Sequence, residues 1–275
     1  MSEHTHGRHH PAPFGRRAVA VTANRAVGAY RVLSVEDGDG PPPAPGQFYM
    51  LACREGWGAG ADERPFLPRA FSVLRAHGGA LEFLLEEVGP GTVRLAAARP
   101  GEQLWITGPL GRGFSPPSGT ALLAGGGVGI APLAIWQDEL LAAGVEAVAL
   151  LGFRDREHAD GAALLARVQV ATDDGSVGHH GPVTELLGDA LERDPAAQVY
   201  ACGPPAMLEA VRALCERRGA SCELALEAGM ACGFGACFGC AVARRGGGYL
   251  RICIEGPVVD ASQLEHVDEH AGAPA

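Results

Sequence analysis

Between residues 16 and 115 the chain runs in short apolar stretches with polar breaks. AVAVTANR, YRVLSVED, GQFYMLAC, RAFSVLRA, ALEFLLEEV and EQLWITG read as strands, largely alternating. GDGPPPAPG, AHGG and ARPG separate them with residues that favour turns. Six short strands at this spacing predict a small antiparallel barrel or sandwich. The glycine-rich stretches 87–92 and 108–114 read either as simple turns or as the rim of a binding site.

After SPPSG the period changes. ALLAG, EAVALLGF, VQVATDD and QVYACG read as strands. APLAIWQDELLAAG, ADGAALLARV, VTELLGDALERD and PPAMLEAVRALCERRG read as the helices between them. Strict alternation predicts a parallel sheet covered on both faces, an architecture of nucleotide-binding proteins. SCELALE is a last strand before a cysteine-rich loop. RRGGGYLRICIEGPVV then supplies turn and strand around Cys253, with Gly246, Gly247 and Gly248 as a surface turn.

With 47% hydrophobic residues in 275, the chain is too apolar for a disordered polymer despite 40 glycines and 20 prolines. It is long enough for two or three modules. The net charge of −10 and the lack of a Lys/Arg block argue against a nucleic-acid partner. The start, MSEHTHGRHHPAPFGRR, has no apolar stretch of the signal-peptide type, and no apolar run reaches the ~18 residues of a membrane span. A soluble, cytoplasmic protein without a membrane partner is expected. His4, His6, His9 and His10 read as part of a disordered head over residues 1–15.

Cys232, Cys237, Cys240 and Cys253 have the spacing Cys-x4-Cys-x2-Cys-x12-Cys. Four thiolates converging on a small iron–sulfur rhomb need three ligands from one tight loop and a fourth from a nearby segment, so this spacing points to a [2Fe-2S] cluster. Gly233, Gly235 and Gly239 let the loop turn and bring N–H groups towards the sulfurs. Phe234 and Phe238 are expected to shield the centre from water. Zinc fits less well, because its cysteines come in pairs separated by a longer span. Disulfides fit an exported chain, which this is not expected to be. Cys53, Cys202, Cys215 and Cys222 read as small buried hydrophobes.

Gly125, Gly126, Gly127 and Gly129 lie between a strand and the first turn of a helix, where a phosphate can approach bare backbone N–H groups. The run is not a strict GxGxxG, since Pro132 takes the third glycine's place, and a purely structural turn stays open. Residues 152–154, 172–176 and 202–205 also follow strands on the same sheet edge. Arg69, Phe71 and Ser72 put a cation, a ring and a hydroxyl on one short strand, suited to a diphosphate and a flat heterocycle. A flavin between a nicotinamide site and a one-electron cluster is chemically coherent, because it takes electrons in a pair and releases them singly.

With these motifs in place, residues 16–260 resemble the electron-transfer subunits of NAD-linked, class 1B dihydroorotate dehydrogenases, in the ferredoxin reductase superfamily. The resemblance implies a multidomain β plus α/β fold: an FAD-binding β-barrel over 16–115, a parallel α/β NAD domain over 118–220, a small [2Fe-2S] lobe over 221–262 and a flexible tail over 263–275. It implies that Arg69 meets the FAD phosphates, that Phe71 and Ser72 lie near the flavin, and that Gly91 and Thr92 form a second FAD loop. Gly125 to Gly129 with Cys202, Gly203 and Pro204 would border NAD(H), and Cys232, Cys237, Cys240 and Cys253 would hold the cluster. The implied partner is an FMN-containing catalytic subunit that oxidises dihydroorotate to orotate in pyrimidine biosynthesis, two copies of each. This chain would not bind dihydroorotate itself. Relay subunits of hydrogenases, sulfur reductases and transhydrogenase-like flavoenzymes have a similar cysteine set and remain the alternative. Arg154 and Arg156 leave NADP open beside NAD.

Overall fold

The six runs of the first module form strands, and the computed structural model, which describes residues 15–58 and 65–267, closes them into a barrel. They are β1 (Arg17–Val27), β2 (Tyr30–Glu36), β3 (Phe48–Cys53), β4 (Arg69–His77), β5 (Ala80–Glu86) and, after helix α1 (Pro90–Ala96), β6 (Gln103–Leu110). All neighbours are antiparallel, in the order β1-β2-β5-β4-β3-β6. Along β6 exposure alternates residue by residue, and Leu104 and Ile106 enter the core beside Val19, Leu33, Leu51 and Phe83. Each such buried side chain contributes about 1.5–3 kcal/mol. Strand β3 is buried along its whole length because Phe48 and Met50, on its outer side, pack with Leu110, Cys240, Ile252 and Cys253.

Helix α1 departs from the expected turn. Gly89-Pro90-Gly91 looks like a loop, but Pro90 costs nothing in a first helical turn, and the Thr92 hydroxyl accepts the N–H groups of Val88 at 2.9 Å and Gly89 at 3.0 Å.

The second module contains β7 (Ala121–Gly126), α2 (Ile130–Ala142), β8 (Ala147–Phe153), α3 (Arg156–Ala159), β9 (Val168–Thr172), β10 (His179–His180), α4 (Val183–Arg193), β11 (Gln198–Cys202), α5 (Pro205–Arg218) and β12 (Cys222–Ala225). Leu122 and Ala124 of β7 face Leu187, Leu191, Leu208 and Val211 of α4 and α5; Ala121 and Leu123 face Leu133, Trp136 and Leu140 of α2. The helix expected over 159–168 is instead α3 followed by a 3-10 turn at Asp160–Leu164. The Asp155 carboxylate accepts the His158 N–H at 3.0 Å and starts the helix early.

The cysteine segment leaves the sheet after β12, forms a hairpin from β13 (Ala241–Ala243) and β14 (Tyr249–Arg251), and returns as β15 (Val258–Asp260). The sheet order is β10-β9-β8-β7-β11-β12-β15. The sheet expected over 118–220 is parallel throughout, and the cysteine segment adds β15 as one antiparallel edge strand, which makes the whole sheet mixed. The segment comes back without a crossover helix, so β15 runs antiparallel to β12. Gly246, Gly247 and Gly248 form the hairpin turn, all with positive φ and open surroundings.

Of the expected tail, Leu264 is buried and the Val267 N–H bonds to Glu209 at 2.8 Å. Residues 268–275, and all of the expected histidine-rich head except Gly15, lie outside the described residues. Among the described residues, no helix is long and apolar enough to cross a membrane.

Candidate functional site

A cavity of about 420 Å³ opens between barrel and sheet, within the size range of small-molecule sites. Arg69, Phe71 and Ser72 on β4 line it, with Gly91 and Thr92 from α1 and Val128 from the glycine loop. Arg69 is held in place by a bond from Nη1 to the Leu67 carbonyl at 2.7 Å. A Cβ at Gly91 would sit 2.7 Å from Arg69 Nε, so glycine here makes room for the guanidinium. The Thr92 hydroxyl is already engaged in capping α1, donating to the Gly89 carbonyl at 3.1 Å.

The glycine loop and the Cys202-Gly203-Pro204 turn meet at the carboxyl ends of neighbouring strands β7 and β11. From β7 the chain proceeds outward through β8, β9 and β10, then jumps to β11 on the other side. This reversal makes the crevice where open α/β sheets bind ligands. The two turns are packed backbone to backbone: a Cβ at Gly129 would lie 2.5 Å from the Cys202 carbonyl, and one at Gly203 would lie 3.0 Å from Gly126 N. Gly125 is enclosed by Ile130, Leu133 and Leu151, and Gly126 by Pro204 and Met207. Gly127 alone in the loop faces open space, with φ +55°. The Cys202 thiol points into the core, and only its backbone reaches the crevice.

Arg154 and Arg156 are engaged within the protein. Arg154 bonds to Glu86 at 2.9 Å and also contacts Asp155 and His158; Arg156 donates to the Ser176 carbonyl. The Arg154–Glu86 pair ties the sheet to β5 of the barrel.

Immediately after β12, residues 226–230 line the cavity and lead into the cysteine loop. Cys240 and Cys253 are buried with their sulfurs 3.1 Å apart, Cys232 is half-buried, and Cys237 is exposed. Burial would raise the Cys232 thiol, but backbone N–H groups of Cys237, Phe234 and Ala236, with the Cys237 side chain, bring it down to about 7. Burial and the adjacent Cys240 push Cys253 up to about 12, against an N–H from Gly235. Among the described residues no three His, Cys, Asp or Glu side chains close around a single metal ion. What fits a thiolate-held cluster is the donor chemistry: four sulfurs in one segment and N–H groups aimed at two of them.

The expected shielding by Phe234 and Phe238 is not found. Both rings are exposed, at 50% and 61%, and Phe238 lies under the Arg251 guanidinium at 4.9 Å. Phe238 has φ +59° and, like the neighbouring Cys237, faces outward.

Glu227 escaped sequence reasoning. At the end of a strand its carboxyl reads as an ordinary polar position. In the fold it lines the cavity while remaining exposed to solvent.

The dihydroorotate dehydrogenase B (NAD(+)) electron transfer subunit of Caldanaerobacter subterraneus subsp. tengcongensis is 36% identical over 255 residues, covering 89% of this chain and 96% of that protein. The chain belongs to this family of electron transfer subunits. The family member from Geobacillus thermodenitrificans is 38% identical over 234 residues, covering 80% of this chain and 86% of its own length. Residues 227–265 match the iron-sulfur cluster binding domain of dihydroorotate dehydrogenase B, which spans all four cysteines. In fold the chain is similar to an NADH-dependent reduced ferredoxin-NADP oxidoreductase studied for flavin-based electron bifurcation, with a TM-score of 0.76 and 23% identity over 92% of this chain and 91% of that one.

Proposed function

We propose that this chain is the relay of an NAD-linked dihydroorotate dehydrogenase, carrying electrons between an FMN-containing catalytic subunit and NAD(H) through FAD and a [2Fe-2S] cluster. One observation carries the reading: residues 226–230 line the cavity and run directly into Cys232, so a group in the cavity and a group held by the cysteines lie at the two ends of one short segment. When bound, flavin exchanges the electron pair of a hydride for the single electrons that the cluster takes.

The protein's part is positioning. Arg69 offers two-pronged donors to the FAD diphosphate, and Phe71 and Ser72 meet the ring system beside Gly91 and Thr92. Gly125, Gly126, Gly127 and Gly129 with Cys202, Gly203 and Pro204 form the crevice for the nicotinamide dinucleotide. Cys232, Cys237, Cys240 and Cys253 hold the cluster, with Cys237 on the exposed side. The barrel over 16–115, the dinucleotide unit over 118–220 and the cluster segment over 221–262 divide the work. The catalytic partner oxidises dihydroorotate to orotate in pyrimidine biosynthesis, and the assembly contains two copies of each subunit.

The test is anaerobic purification of the native complex. Stoichiometric recovery of an FMN-containing dihydroorotate dehydrogenase, with FAD and iron in this chain, is expected. A hydrogenase or sulfur reductase in its place would overturn the pathway, and absence of flavin and iron would overturn the relay.

A further inference from the structure

Strand β5 sends Phe83 and Leu85 into the barrel core and turns Leu84 and Glu86 the other way, towards the sheet. Leu84 packs there with Ile130 and Ala131 of α2, and Leu84 and Glu86 both line the cavity of about 420 Å³. Glu86 thus brings a carboxylate to a wall that Leu84, Val128 and Ala131 otherwise make apolar.

This carboxylate is held by one of its two oxygens. Oε1 accepts from Arg154 Nη2 at 2.9 Å and lies 3.3 Å from His158 Nε2. His158 is buried and itself fixed, with Nδ1 2.7 Å from Asp155 Oδ1 and its ring edge-on to Tyr30, the residue paired with Glu86 across the β2–β5 ladder. Among the described residues no protein group bonds to the second oxygen, Oε2, and the side chain keeps 21% of its surface exposed. A carboxylate anchored through one oxygen offers the other as an acceptor in a set place. Glu227, the other carboxylate of the lining, is exposed to solvent.

The position of Glu86 along the cavity points to the kind of donor. The same segment of chain continues along the lining through Val88 and Gly89 to Gly91, where a Cβ would lie 2.7 Å from Arg69 Nε. A guanidinium suited to a diphosphate and a carboxylate suited to hydroxyls therefore stand on adjoining parts of one wall. In a dinucleotide the group next to the diphosphate is a polyol, either the ribityl chain of a flavin or the ribose of a nicotinamide nucleotide. Like charge keeps phosphate away from Glu86, whereas a hydroxyl donates to it.

We propose that Glu86 is a ligand-binding residue of the cavity, its Oε2 accepting a hydrogen bond from a sugar-type hydroxyl of a bound dinucleotide, with Arg154 and His158 as the positioning residues that hold the carboxylate from the sheet side. The assignment rests on the flavin and nicotinamide reading above. It gives the Arg154–Glu86 pair a task beyond tying sheet to barrel, because the pair fixes where the free oxygen stands.

The experiment uses the full chain in its native complex, unmodified and as Glu86→Ala, Glu86→Gln and Arg154→Met. The flavin-free complex is titrated with riboflavin and with lumiflavin, which has the same ring system without the polyol, and the flavin-loaded complex is titrated with NAD; binding is read by fluorescence and absorbance. Glu86→Ala is expected to weaken riboflavin or NAD about ten- to hundredfold, the loss of one hydrogen bond to a charged acceptor, and to leave lumiflavin unchanged. Glu86→Gln, which keeps an acceptor oxygen without the charge, should recover part of the loss, and it carries the same comparison if Glu86→Ala does not assemble. A riboflavin effect assigns the hydroxyl to the ribityl chain, and an NAD effect assigns it to the ribose. Arg154→Met should weaken the same ligand less and lumiflavin not at all. Riboflavin and NAD both bound as in the unmodified complex would overturn the proposal, and so would equal weakening of riboflavin and lumiflavin, the mark of a cavity merely disturbed. Arg154→Met without effect on the affected ligand would overturn the positioning role. Failure of the unmodified complex to bind any flavin would instead remove the underlying reading, and the proposal with it.

Discussion

Cys240 Sγ lies 3.1 Å from Cys253 Sγ although the two residues are separated by a whole hairpin. The pairing of β13 with β14 brings them together, and Ile252 and Leu250 seal them from water. The exposed Cys237 has no such protein wall around it.

This contrast makes the cysteines separable by mutation. Cys237→Ala is expected to remove cluster absorbance and most of the iron while changing the stability of the metal-free chain by less than about 0.5 kcal/mol. Iron and sulfide analysis beside thermal melts of the apo chain tests this. Loss of flavin with retention of iron would contradict it.

Gly91→Ala places a methyl group 2.7 Å from Arg69 Nε. The end of a flexible side chain can swing away, so the fold should survive, but Arg69 would leave its place in the cavity. Loss of a charge-assisted bond of about 1.5–3 kcal/mol predicts roughly ten- to hundredfold weaker flavin binding. Titration of apoprotein with FAD measures it, and unchanged affinity would remove Arg69 from the binding site.

Gly129→Ala meets backbone rather than side chain, 2.5 Å from the Cys202 carbonyl. The two turns of the crevice would have to part, at a cost of about 1–3 kcal/mol, and NADH should bind more weakly. Gly144→Ala is the control: it has φ +76° and open surroundings, far from the crevice. It should cost about 1–2 kcal/mol in backbone strain with no change in NADH affinity. Equal effects of both variants on affinity would contradict the assignment.

Glu223 on β12 supplies a pH prediction. Burial raises its carboxyl pKa above the ordinary 4.5, against the N–H of Ser115, and Asp260 raises it further. The folded chain then binds this proton more tightly than the unfolded chain, so the contribution favours folding below pH 4.5 and is lost as pH rises through the raised folded value. Glu223→Gln keeps an acceptor for Ser115 and should raise Tm by about 1–2 °C at neutral pH, with no gain near pH 4. Melts at the two pH values decide it, and an equal gain at both would refute the cause.

The barrel strands were legible because each carries a period of two between turn residues, and α2, α4 and α5 because their lengths and stops are local properties. Gly219, left-handed after Arg218, ends α5 where the sequence places its stop. Helix α1 was hidden because Gly89-Pro90-Gly91 is turn-like in composition, and its start depends on one threonine hydroxyl. The exposure of Phe234 and Phe238 was equally hidden, since an aromatic ring beside a cysteine does not reveal which way a tight turn points it.

By itself the sequence determined the module order, the cysteine set and the loops with room for phosphate, because spacing, alternation and absent side chains are properties of neighbouring residues. The tertiary structure alone decided that Gly129 must pass against Cys202, that β15 returns antiparallel, and that Glu227 lines the same cavity as Arg69. Those relations join segments distant in the chain, and only the packing of barrel, sheet and cysteine hairpin into one body sets the distances between them.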